Sequence, residues 1–170
     1  VGDGLATRFE IREGRVRPAT DDKALTAWNA LAIGAFAEAG RVFGEPAFVN
    51  AAVRCADFVL THLRDDQGRL LRSWRNGVAG KPGFADDHAL MASACITLYE
   101  TTFELRWFEQ ARALADELLR LFRDDDRGGF FQTATDAERL VLRPKELYDN
   151  AVPSGNSVAT TSAPFAASSS

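Results

Sequence analysis

Apolar residues along this chain recur three and four positions apart in several separate runs, the spacing of one buried face of an α-helix. Leu25, Trp28, Leu31, Ala32, Ala35 and Phe36 predict a helix over 23–39, with Thr20 or Asp21 as its cap and Gly40 as its stop. Pro46 suits the first turn of a second helix over 46–63, along which Phe48, Ala52, Cys55, Val59 and Leu63 trace a stripe. The same spacing predicts helices over 85–101, through Leu90, Met91, Ala94 and Leu98, and over 107–122, through Ala111, Leu114, Leu118 and Leu121. A fifth helix is expected from Ser154, which can cap it, through Val158.

Two long connections separate these helices in pairs. Residues 64–83 carry Gly68, Gly77, Gly80 and Pro82-Gly83, with Leu70, Leu71 and Trp74 expected in a short hairpin. Connections of this length are uncommon unless they serve a function. Gly128-Gly129 opens the second, in which Phe130, Phe131, Leu140 and Val141 are expected to pair as short strands. The chain therefore reads as all-α, built from αα-hairpin repeats with short β-hairpin-like loops. An irregular segment is expected over 1–20, the helical-repeat domain over 21–159 and a low-complexity tail over 160–170.

An acidic or amide pair stands before each unit: Asp21-Asp22, Asp86-Asp87 and Asp149-Asn150. Asp22 and Asp87 are 65 positions apart, Asp87 and Asp149 62, which reads as a repeated module. The first helices of successive αα hairpins point the same way, so the three acidic starts are expected on one common face. Each acid can equally be a helix cap, favoured by the helix dipole. Aromatic and amide neighbours beside these carboxylates are the equipment of a sugar-binding cleft. Asp87, Asp22 and Asp149 are thus the candidate catalytic residues, with Asp87 the favoured general acid or base and His88 an alternative proton carrier. Trp28, Asn29, Asp86, His88, Tyr148 and Asn156 are the candidate substrate contacts, Trp28 and Tyr148 as stacking platforms. His62, late in its helix, reads as structural.

Composition narrows the classes. With 170 residues, 46% hydrophobic and 26% charged, the chain has the balance of a globular protein. Its net charge of −4, without a Lys/Arg block, argues against a nucleic-acid partner, and no apolar run approaches a membrane span. Cys55 and Cys95 lie far apart in helical runs and read as buried, inert thiols. No metal-ligand spacing, no cofactor motif and no serine-nucleophile elbow is present. A cytoplasmic location is expected, although the first residue is Val1.

Four stretches carry a resemblance. Asp21-Asp22-Lys23-Ala24-Leu25-Thr26-Ala27-Trp28-Asn29, Gly83-Phe84-Ala85-Asp86-Asp87-His88-Ala89, Gly128-Gly129-Phe130-Phe131 and Pro153-Ser154-Gly155-Asn156-Ser157-Val158-Ala159 resemble the thioredoxin-domain-containing family related to spermatogenesis-associated protein 20. The resemblance implies part of an (α/α)₆ toroid, similar to six-hairpin glycosidases and to the N-acylglucosamine 2-epimerase group. About two hairpins and the start of a third would be present. It further implies a carbohydrate-related role, with a thioredoxin-like domain on the same full-length chain, or alternatively a non-catalytic binding or scaffold module for that domain.

Overall fold

The computed structural model describes residues 2–16, 20–137 and 142–162. Helix α1 (Gly2–Glu13) replaces the irregular opening expected there; all its described side chains are exposed. Two helical hairpins follow: α2 (Thr26–Phe43) with α3 (Pro46–His62), and α4 (Ala85–Thr102) with α5 (Leu105–Phe122). The first helix of a third unit, α6 (Gly155–Ser162), closes the described chain. Residues 163–170, most of the expected tail, lie outside the described residues, and 160–162 belong to α6.

Packing sorts these helices into two rows. Helix α4 packs against α2 on one side and α6 on the other, while α3 and α5 each lie outside their hairpin partner. The central position of α4 shows in its burial: apolar residues all around it, from Ala85 to Leu98, are out of solvent together with Asp87 and His88. Ile33, Val59, Leu63, Met91, Leu98 and Leu114 join the two hairpins in one core. A smaller cluster of Leu118, Phe122, Phe130 and Ala159 seats α6. Among the described residues no helix is long and apolar enough to cross a membrane.

Helix α2 starts later and ends later than its periodicity predicts. Lys23 precedes a strand, β1 (Ala24–Leu25), so Asp21 caps no helix; it accepts instead from Lys23, whose ammonium lies 3.2 Å away. Gly40 does not stop α2. A Cβ there would fall 2.5 Å from Val49 Cγ2, so Gly40 lets α2 and α3 approach closely, and the stop is Gly44 at φ +66°.

Strand β1 pairs antiparallel with β2 (Ser73–Arg75), which pairs with β3 (Val78–Ala79). The turn between β2 and β3 is Asn76-Gly77, both at positive φ, the conformation that matches strand twist in a two-residue hairpin. The hairpin thus sits beyond Leu70 and Leu71, which are buried and make single bridges to Arg64 and Pro82. Phe130 bridges Arg123, while Leu140 and Val141 lie outside the described residues.

The two long connections repeat one design. Asp65 Oδ1 accepts the N–H groups of Gln67 and Arg69, and Asp124 Oδ1 those of Asp126 and Arg127, turning the chain back after each outer helix. The returning segment then supports the start of its inner helix: Thr26 N–H donates to Arg72 O at 2.9 Å, and Ala85 N–H to Gln132 O at 3.1 Å. Thr26 and Ala85 are 59 positions apart, and Arg72 and Gln132 60. This register makes Trp28, not Asp22, the counterpart of Asp87. The acidic pairs spaced 65 and 62 apart do not occupy equivalent positions in the repeat.

Candidate functional site

At the N-terminal ends of α2 and α4, the Asp87 carboxylate is buried and fully bonded. Its Oδ1 accepts the N–H of Ala27 at 3.1 Å, and its Oδ2 accepts the N–H of Phe84 at 2.9 Å and Arg72 Nη1 at 3.0 Å. A single side chain therefore caps its own helix, caps α2 from another unit, and fixes a loop arginine. Burial pushes the Asp87 carboxyl up to about 6, and the charge of Asp86 adds to the rise. The hydrogen bond from Phe84 N–H, the Arg72 charge and the hydrogen bond from Ala27 N–H oppose it.

Arg72 is held from three directions. Besides Asp87 it meets Asp86 Oδ1 at 3.5 Å, and its guanidinium lies over the Phe84 ring, 4.4 Å from the centroid. Its backbone is tied on both sides, to Thr26 through the carbonyl and to Lys81 O through the N–H. Arg72 is thus presented rigidly beside Asp86, whose side chain stays 19% exposed.

These groups border a cavity of about 240 Å³. Trp28, 65% exposed, Asp86 and Asp87 line it from the inner helices and Arg72 from the connection between the hairpins; Gln132, Glu146, Val152 and Pro153 complete it from the segment leading to α6. An exposed indole, three carboxylates, an amide and a fixed guanidinium can stack on an apolar face and exchange hydrogen bonds with hydroxyls.

Trp28, Asp86 and Asp87 are the expected site residues that the structure brings together. Asp22 pairs with Arg75 at 2.5 Å and does not line the cavity. Asp149 accepts the Ser154 N–H at 2.8 Å, which holds its carboxyl below the usual range, and it too lies outside the lining. Tyr148 is 83% exposed and also outside it. Asn29 turns toward α3: its amide donates to Leu25 O and its Oδ1 accepts from Cys55 Sγ.

His88 lies behind the cleft rather than in it. It is fully buried, with Nδ1 2.9 Å from Phe84 O, Nε2 3.4 Å from Glu117 Oε2 and its ring 5.0 Å from that of Phe122. Asn156 clamps the second connection: its Oδ1 accepts Phe130 N–H at 2.7 Å and its amide donates to Phe130 O and Glu146 O. Ser154 does cap α6, its hydroxyl accepting the Ser157 N–H. Cys95 is buried, its thiol pushed up to about 12 by burial, and burial also raises half-buried Cys55.

Arg72, Gln132 and Glu146 are the cleft residues that periodicity does not reveal. All three stand in the long connections, where loop length was the signal. No model of a known protein family matches the chain. The chain is 35% identical over 168 residues to spermatogenesis-associated protein 20 of Homo sapiens, covering 93% of itself and 21% of that protein. The Rattus norvegicus protein of that name is 36% identical with the same coverage. The chain thus spans about a fifth of the length of these relatives. Among solved structures, cellobiose 2-epimerase from Spirochaeta thermophila superposes with a TM-score of 0.64 at 18% identity, over 85% of this chain and 37% of that one. A family 105 glycoside hydrolase of C. acetobutylicum gives 0.61 at 13% identity, over 93% and 48%. At such identities the likeness establishes the fold: the inner and outer helix rows are those of a six-hairpin toroid.

Proposed function

On the premise that this chain is a homologue of one segment of spermatogenesis-associated protein 20, folded as part of a six-hairpin toroid, we propose that its cleft binds a sugar. The observation that carries this reading is the exposed Trp28 indole standing beside Asp86 in a polar cavity at the inner-helix ends. That neighbours of the same fold are named as a cellobiose epimerase and a glycoside hydrolase supports it. In this reading one face of a pyranose ring packs on Trp28, while Asp86, Gln132 and Glu146 take up its hydroxyls.

Asp86, rather than Asp87, is the carboxylate proposed to touch the ligand and to act as general acid or base. Both oxygens of Asp87 already accept hydrogen bonds, so it serves as a positioning residue that sets Arg72 and the start of α2. The test is a panel of mono- and disaccharides titrated into the full-length protein, with turnover followed for hydrolysis and for epimerisation. Saturable binding that Asp86→Asn weakens is the expected result; a panel with no binding member refutes the reading.

The occupancy of Asp87 favours one rival, a non-catalytic sugar-binding or scaffold module beside a thioredoxin-like domain on the same polypeptide. Binding without turnover, unchanged in kind by Asp86→Asn, would select it.

A further inference from the structure

The charges around the cleft are unbalanced. Asp86, Asp87 and Glu146 line it, and among the described residues Arg72 is the one cation in the lining; it lies 3.0 Å from Asp87 and 3.5 Å from Asp86 and so is already shared between two carboxylates. Two other cations of the neighbouring loops are engaged elsewhere: Arg75 with Asp22 and Lys145 with Asp124, each at 2.5 Å. Glu146 is exposed and enters no ion pair among the described residues.

From this geometry we infer that the cleft discriminates by charge, accepting neutral and amino-bearing sugars and rejecting uronic acids and sugar phosphates. The inference rests on the sugar-binding reading above and names its substrate class. Even with a proton on Asp87, two carboxylates, Asp86 and Glu146, face the one guanidinium of Arg72 in the lining. That Asp86 helps to raise the Asp87 carboxyl is the same field acting on a resident acid. An incoming carboxylate meets like charge in a partly enclosed cavity, where screening is weaker than in open water. An ammonium group gains from the same charges.

The experiment compares the methyl glycosides of glucose, glucosamine and glucuronic acid on the full-length protein, by calorimetric or NMR titration at low and high salt. Expected is binding in the order glucosamine, glucose, glucuronate, with glucuronate about tenfold weaker than glucose at low ionic strength and the gap narrowing as salt is added. Glu146→Gln, a change at an exposed side chain, should narrow the same gap without affecting folding. Glucuronate binding as tightly as glucose, or a gap indifferent to both salt and Glu146→Gln, overturns the charge inference while leaving sugar binding intact. Binding of none of the three overturns the sugar reading and this inference with it.

Discussion

Asp87, at the start of α4, caps α2 by accepting the backbone N–H of Ala27 at 3.1 Å, joining residues 60 positions apart. One side chain thereby couples the ends of two inner helices and fixes Arg72 between them. Removing it leaves the N–H groups of Ala27 and Phe84 without their acceptor and the Arg72 guanidinium with its longer contact to Asp86. Asp87→Ala is expected to destabilise the protein by roughly 3 kcal/mol, since two backbone N–H groups lose their acceptor at about 1–3 kcal/mol each. Asp87→Asn keeps one acceptor oxygen and should cost less, about 2 kcal/mol. Urea denaturation of the three proteins checks the order, and a loss under about 1 kcal/mol for the alanine variant would mean that the knot is dispensable.

The same carboxylate predicts a pH dependence of stability. In the unfolded chain it titrates near its ordinary 3.8, while in the folded protein burial, and then the Asp86 charge, raise it to about 6. Between those values the folded state holds a proton that the unfolded state has released, so stability falls as pH rises from about 4 to about 6. The shift corresponds to roughly 3 kcal/mol over that window. Asp149 acts in the opposite sense, because its carboxyl is lowered by the Ser154 N–H: its contribution is present above about 4 and is lost as pH falls further. Unfolding free energies measured across pH 3.5–7 should therefore converge for Asp87→Asn and the parent as pH rises. Parallel curves would show that the group does not titrate in this range.

Gly40 offers a test of the packing between the first two helices. A Cβ at this position would lie 2.5 Å from Val49 Cγ2, 2.9 Å from Val49 N and 3.1 Å from Glu45 O. The backbone atoms cannot yield as a side chain can, so Gly40→Ala should cost about 1–3 kcal/mol despite alanine's higher helix propensity. Gly34 in the same helix meets nothing within 4 Å, and Gly34→Ala should be neutral or stabilising. Thermal melts of the two variants give the contrast directly.

The helices were legible because their cores are stripes: every long inner and outer helix follows the apolar spacing to within a few residues. The site was less so, and the reason is register. Spacing alone aligned Asp22 with Asp87, yet the backbone bonds that start α2 and α4 align Trp28 with Asp87 instead. Lys23 and Ala24, read as a first helical turn, are drawn toward a strand because Ala24 pairs with Trp74, 50 positions away. Local propensity does not contain such a partner. His88 looked like a helix-start residue open to a ligand, but α4 lies between α2 and α6 with α5 behind it, and its second turn is enclosed by Phe122 and Glu117 of α5. The hairpin was expected on Leu70, Leu71 and Trp74, but its turn is Asn76-Gly77, so of these three only Trp74 lies in a strand.

Trp28 and Tyr148 separate the geometry of the cleft from its composition. Both are large, exposed aromatics near carboxylates, and sequence alone ranks them together as stacking platforms. Trp28 lines the cavity beside Asp86, whereas Tyr148 does not border it. Trp28→Ala should weaken sugar binding roughly tenfold, about the worth of one aromatic stacking contact, while moving stability by less than about 0.5 kcal/mol because the indole is exposed. Tyr148→Ala should leave both unchanged. Titration of each variant with whichever sugar binds the parent protein decides the matter: equal losses would place the ligand across the loop that bears Tyr148, and a loss at Tyr148 alone would move the binding surface out of the cavity altogether.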